Sequence, residues 1–256
     1  ELKQISKHGL ADFEIVYPEG MRIISASEWR AASPRHFIPK NKLIHSGIFS
    51  PDLSSYYYTL SDTLFTRFDV YVLFKTETGW STSKKAFFST DYNEHGTAFS
   101  PDGSTIYFAS TRPLNNPEIA QTWHIWRSYK TGNSWSKPEF VDIPNMNDKL
   151  VSHPSVASDG TLYFHAGNID YSDLAIYSAK PNGALFFNAV RLENTINRTS
   201  MECTPFIAPD KSYLIYESVP DLYISYNKGN RWQTPIKLNS KINREGRGNP
   251  YVSPDG

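Results

Sequence analysis

At 256 residues the chain can bury a sizeable core without a disulfide or a metal staple. Lysine plus arginine equals aspartate plus glutamate at 26 each, so no counterion-release term draws it to nucleic acid, and no run nears the roughly eighteen consecutive apolar residues of a membrane span. The one cysteine, Cys203, excludes an intrachain disulfide and a cysteine-rich zinc site and reads as a small buried apolar residue.

Aromatic residues make up 14% of the chain, which favours strands, and the length suits a single all-β domain over 1–256. Taken in order, residues 1–43 hold two strand-like runs, Phe13 to Tyr17 and Met21 to Ser25, and a short helical start from Ser27 and Glu28 to Ala32. The chain opens on Glu1 and not on Met, so a removed export signal would leave no trace. A phrase then recurs five times at a period of roughly fifty residues, the size of a repeat unit. Its copies are Phe49-Ser50-Pro51-Asp52, Phe99-Ser100-Pro101-Asp102-Gly103, Val156-Ala157-Ser158-Asp159-Gly160, Ile207-Ala208-Pro209-Asp210-Lys211 and Val252-Ser253-Pro254-Asp255-Gly256.

Each of the first four copies leads into a β-rich run: Tyr56 to Leu60, Thr105 to Ala109, Thr161 to His165 and Ser212 to Tyr216. A second run follows, centred on Val70-Tyr71, Ile125-Trp126, Ile176-Tyr177 and Leu222-Tyr223. Next come a turn glycine (Gly79, Gly132, Gly183, Gly229) and a third run led by Trp80, Trp135, Phe186 or Trp232. A connector with a recurrent asparagine (Asn93, Asn147, Asn197, Asn243) closes the unit.

Physically, each unit reads as four short antiparallel strands. Proline sets φ for the first reversal, aspartate bonds nearby amides, and glycine accepts positive φ; Leu53, Lys211 and Ser158 depart from that pattern. The glycine before each aromatic makes the later hairpin. A four-stranded sheet that is apolar on both faces cannot stand alone in water, and stacking such sheets radially around an axis buries both faces. The expected fold is a β-propeller with blades at 44–90, 91–144, 145–194 and 195–241, and the innermost strand of a last blade at 242–256. Residues 1–43 are expected to supply that blade's missing strands and close a five-bladed ring; a chain extending beyond Gly256 would make five or six blades.

The copies Phe99-Ser100-Pro101-Asp102-Gly103, followed by Ile106-Tyr107-Phe108, and Pro205-Phe206-Ile207-Ala208-Pro209-Asp210, followed by Tyr213-Leu214-Ile215-Tyr216, resemble the WD40-like repeats named for their Pro-Asp motif. These occur in the TolB propeller and in many bacterial exported proteins. The resemblance covers roughly residues 44 to 256, as five registers of a blade-sized repeat. It implies a periplasmic or extracellular place and a family that includes scaffolds, sensors and propellers attached to enzymes.

Matching positions of stacked blades gather around the axis. The eighth, seventh and sixth positions before each motif aspartate therefore line one mouth of the channel, bringing together His45, Glu94, His95, His153, Glu202, Arg247 and Asn249. Histidine and carboxylate could orient a polar ligand or, less readily, hold a divalent metal, yet no His-Glu-x-x-His spacing occurs and no cofactor is expected. Ser225 to Trp232 and Ser128 to Trp135 resemble the Asp-box hairpin of sialidases and read as hairpins. Tyr56-Tyr57-Tyr58 and Trp123 with Trp126 are candidates for stacking on sugars, against a packing role between blades. Asn197-Arg198-Thr199 is a glycosylation sequon. No nucleophile elbow, phosphate loop or dinucleotide fingerprint appears. The expected function is a non-enzymatic, exported module that binds or scaffolds a protein or glycan partner. The alternative is a carbohydrate-active hydrolase or lyase using Glu94, His95, His153 and Glu202 at the channel mouth.

Overall fold

In the computed structural model of the protein the described residues are 42–240, 242–243 and 248–254. They contain no helix, and they form four antiparallel sheets arranged as the blades of a propeller. The first blade pairs Lys42–Phe49, Ser55–Asp62 and Phe68–Thr76 in sequence order. The second repeats this with Glu94–Phe99, Thr105–Ser110 and His124–Thr131, the third with Leu150–Val156, Leu162–Gly167 and Ala175–Ala179, and the fourth with Glu202–Ile207, Tyr213–Ser218 and Asp221–Lys228. The expected fourth strands exist only as two-residue pieces, such as Gly79–Trp80 and Lys84–Lys85 against the third strand of the first blade. The runs assigned to 13–17, 21–25 and 27–32, and the ring closure assigned to 1–43, lie outside the described residues.

Apolar side chains fill the spaces between blades. Tyr57, Val70, Phe88, Ile106, Phe108 and Trp126 join the first blade to the second, with the Phe88 and Phe108 rings stacked at 4.1 Å. Ile125, Val151, Leu162 and Phe164 do so for the second and third, and Tyr163, Ile176, Ile207 and Tyr216 for the third and fourth. Each such side chain contributes roughly 1.5–3 kcal/mol of transfer free energy, so the seams hold the blades together. Tyr56, Tyr57, Tyr58, Trp123 and Trp126 are all buried, which removes them as sugar platforms; Tyr57 and Trp126 belong to the first seam, whereas Tyr56 and Tyr58 pack with Leu73 of their own blade.

The Pro-Asp turns work as their chemistry predicts. The Asp102 carboxylate accepts from Ser100 Oγ at 2.6 Å and from Ser104 N at 3.0 Å, and Asp52 and Asp210 repeat the contact to Ser54 N and Ser212 N. The residue after each aspartate is left-handed: φ is 55° at Leu53, 70° at Gly103, 78° at Gly160 and 62° at Lys211. Leu53 and Lys211 therefore occupy a conformation that glycine adopts without cost. Lys211 also pairs with Asp159 of the neighbouring blade.

The recurrent asparagine clamps the third strand. Asn197 Oδ1 accepts from Ile176 N at 2.7 Å, while Nδ2 donates to Ile176 O and Leu192 O, both at 2.9 Å. Asn243 does the same to Leu222, and Asn93 Oδ1 accepts from Phe68 N. Asn147 instead offers its backbone carbonyl to Ala120 N. Because Asn197 is buried in this role, the sequon around it offers no surface for a glycan. Tyr251 and Val252 lie between the last blade and the first. Tyr251 donates to Phe49 O at 3.3 Å and sets its ring edge-on to Phe206, and Val252 joins the cluster of Tyr213, Ile215 and Ile224.

Candidate functional site at the propeller axis

Each inner strand is interrupted at the same place. The pairing register shifts between His45 and Ile48, His95 and Ala98, Ser152 and Ser155, and Cys203 and Phe206. The residue within each bulge is left-handed, with φ of 52° at Ser46, 61° at Gly96, 50° at His153 and 48° at Thr204, and Asn249, at the matching position before the fifth phrase, has 53°. An extra residue kinks a strand and re-aims its side chains. Here it turns four matching positions onto the axis, where Asn249 joins them. They line a cavity of about 40 Å³ together with Thr97, whose buried hydroxyl has no hydrogen-bond partner among the described residues. That space suits about three waters and is far below the roughly 300 Å³ of a pocket for a drug-sized ligand.

Four histidines surround this hub. The His95 and His153 rings lie 4.4 Å apart and those of His153 and His165 lie 4.9 Å apart, while His45 and His95 both pack against Phe68. Hydrogen bonds tie these rings to neighbouring side chains, with the role of each ring nitrogen set by its tautomer. Ser46 Oγ donates to Asn249 Oδ1 at 2.9 Å, so its contact with His45 Nδ1 at 3.3 Å has the imidazole donating. His153 Nδ1 lies 3.1 Å from Ser152 Oγ, and the ring also bonds the Asn249 side chain. Ser152 Oγ lies 3.1 Å from His95 Nε2 as well. Two runs of hydrogen bonds thus lead to the Asn249 side chain. Two buried ring nitrogens, His45 Nε2 and His95 Nδ1, have no partner among the described residues. His165 Nδ1 accepts from Thr204 N.

Burial governs the charge of this cluster. It lowers His45 and His165 to about 4, and it holds His95 and His153 well below the usual value, with repulsion from the other histidines adding to the effect. The hub is therefore neutral at pH 7. Among the described residues no three His, Cys, Asp or Glu side chains stand together as a metal site.

Of the residues expected at the mouth, His45, His95, His153 and Asn249 meet, and Arg247 lies outside the described residues. Glu94 and Glu202 belong elsewhere, because neighbours along a strand face opposite ways. Both are fully buried. Glu94 accepts from Thr90 N, Thr90 Oγ1, Ser110 Oγ and Arg112 Nη2. Glu202 accepts from Thr199 N, Thr199 Oγ1 and Ser218 Oγ. They are braces at the start of an inner strand. His165 and Glu217, on second strands, were not in the expected set; they enter the hub's surroundings as pairing partners of Ser152 and Cys203. Cys203 is buried, and burial and the adjacent Glu217 carboxylate push its thiol up.

Antiparallel alternation places the loops between second and third strands on the face where the inner strands begin. This face exposes several large apolar side chains. Leu64 is 80% exposed, Phe65 56%, Ile169 59% and Tyr171 55%, with Met201 and Val219 alongside. Two of these side chains rest on the hub: the Phe65 ring meets His45 at 6.3 Å, and Tyr171 OH accepts from Trp123 Nε1, whose indole stands edge-on to His95 at 4.1 Å.

No protein-family model and no curated protein matches the chain. Solved structures do. A puromycin-hydrolyzing peptidase of Mycobacterium tuberculosis is similar at a TM-score of 0.50 and 12% identity, over 80% of this chain and 30% of that one. Regucalcin, a calcium-binding protein of Agrobacterium tumefaciens, gives 0.48 and 16%, over 71% and 55%. A Clostridium thermocellum exo-β-1,3-galactanase gives 0.47 and 13%, over 75% and 48%. The chain thus spans under two thirds of each. The similar structures are mostly enzymes, including peptidases, a lactonase and a galactanase, and the likeness is one of fold.

Proposed function

We propose that the protein is a binding propeller that docks a partner protein on its second-to-third-strand loop face. The observation that carries this reading is the exposed apolar set of Leu64, Phe65, Ile169 and Tyr171 on that face, beside tight, self-bonded turns on the other. Exposed apolar residues gathered on one surface mark contact sites, and loops held by a rigid scaffold are where binding concentrates. The Ser-Pro-Asp repeat supports placing the chain among the WD40-like Pro-Asp propellers, and with them in the periplasm or outside the cell. A glycan is the less favoured partner, since the aromatic runs that would stack on sugar are buried. A hydrolase or lyase reading would need an acid and a base open to solvent, and Glu94 and Glu202 are neither open nor free of partners.

The test places a benzophenone photocrosslinking residue at Leu64, at Ile169 or, on the outer rim, at Lys84 in cells of the source organism. One protein adduct common to the two face positions and absent from Lys84 supports the reading. No adduct at either face position, or release of reducing sugar from a polysaccharide panel, overturns it.

A further inference from the structure

We infer that the histidine hub is an acid-sensitive seat for the docking face, so that lowered pH loosens the Phe65 and Tyr171 loops and releases the partner. This rests on the binding reading for its purpose, although the loosening itself needs no partner.

The geometry carries it. The hub gathers His45 from the first blade, His95 from the second, and His153 and His165 from the third. Among the described residues the other ionisable groups beside it are Cys203 and Glu217 of the fourth blade and Tyr251, which lines the cavity. Glu217 meets Thr204 Oγ1 and Cys203 Sγ, and a Cβ on Gly248 would lie 3.1 Å from its carboxylate. An added proton leaves a charged ring with a buried donor that has no acceptor, because His45 Nε2 and His95 Nδ1 have no partner among the described residues. A second proton brings like charges together, with the His95 and His153 rings only 4.4 Å apart. The cost falls on the two histidines that seat the face: His45 is the ring under Phe65, and His95 is the ring under Trp123, which holds Tyr171.

The sign follows from burial. A histidine lowered in the folded state contributes full stability above its unfolded value near 6.5, and that contribution is lost progressively as pH falls toward the folded value. For His45 the window runs from there down to about 4. The Pro-Asp turns on the opposite face hold carboxylates that are lowered by their serine partners, so they stay ionised through the same window.

The experiment is amide hydrogen exchange on the full chain, at about pH 7 and about pH 4.5, corrected for intrinsic rates. Exchange in the 62–68 and 168–174 loops should rise about tenfold or more in acid, one decade per pH unit for each histidine that takes up a proton, while the 100–104 turn stays unchanged. In the double variant His45→Gln, His95→Gln the rise should disappear. If that variant does not fold, the wild-type contrast between loops and turn decides alone. Equal response in loops and turn, or an undiminished rise in a folded double variant, overturns the inference. Failure of crosslinking with the acid response intact would sink the docking reading and leave the seat standing.

Discussion

The two faces of this propeller are built from the same repeat and behave as opposites. On one, the reversals from first to second strand are short and nearly identical, each closed by an aspartate that bonds the amide two residues on. On the other, the loops between second and third strands differ from blade to blade, from the two residues Val219 and Pro220 to the long stretch after Ser110. They expose their apolar side chains, while the polar groups beneath them are buried. A turn that satisfies its own backbone has nothing left to vary. A loop that leans on a separate hub can change its surface without unfolding the sheet.

If the buried braces belong to the loop face, the largest losses should come from beneath it. Arg112→Met removes the cation from the fully buried Glu94 and should cost about 3–5 kcal/mol in denaturant unfolding, because an uncompensated buried charge remains. A cost under about 1 kcal/mol would mean that the Arg112 cation is not what holds Glu94 in place. Asn197→Ala removes the partners of Ile176 N and Leu192 O, while Ile176 O keeps Leu192 N, and should cost about 2–3 kcal/mol by the same measurement. Gly47→Ala addresses the axis, where a Cβ would lie 1.9 Å from the Tyr56 hydroxyl. Overpacking there should cost about 1–3 kcal/mol, and replacing Tyr56 by Phe in the same chain should recover part of it.

The turn face should respond in the opposite direction. Leu53→Gly relieves a left-handed leucine and should stabilise by about 1 kcal/mol, read as a higher melting midpoint. Loss of stability would show that the leucine side chain packs usefully. The smallest effect belongs to the exposed surface itself. Leu64→Ser with Ile169→Ser should stay within about 0.5 kcal/mol of wild type, since neither side chain supports the fold. A larger loss would break the distinction between a scaffold and the surface it presents.

Much of this architecture was legible beforehand because turn chemistry is local. Proline, aspartate and glycine at fixed offsets announce a reversal whatever the tertiary context, and four of the five registers led to sheets with the expected three central strands. The hub was legible only in part. Counting positions from the motif found His45, His95, His153 and Asn249, because a repeat places equivalent residues at equivalent radii. It misassigned Glu94 and Glu202, since one step along a strand reverses the direction of a side chain. The bulge at residues 46, 96, 153 and 204 has no signature in residue type, being occupied by Ser, Gly, His and Thr. His165 lay outside the count because it belongs to the second strand and reaches the hub by pairing with Ser152. The exposure of Leu64 and Ile169 was equally hidden, as nothing local separates a docking side chain from a core one.

The asparagine clamps carry a further consequence, for the ageing of the molecule. Hydrolysis of the Asn197 carboxamide would replace a nitrogen that donates to Ile176 O and Leu192 O with an oxygen facing the same two carbonyls. Attraction would become repulsion without any change in side-chain size. Deamidation at that one residue would then unfasten a strand edge as surely as deleting it, and a mass gain of a single unit would be the only covalent trace.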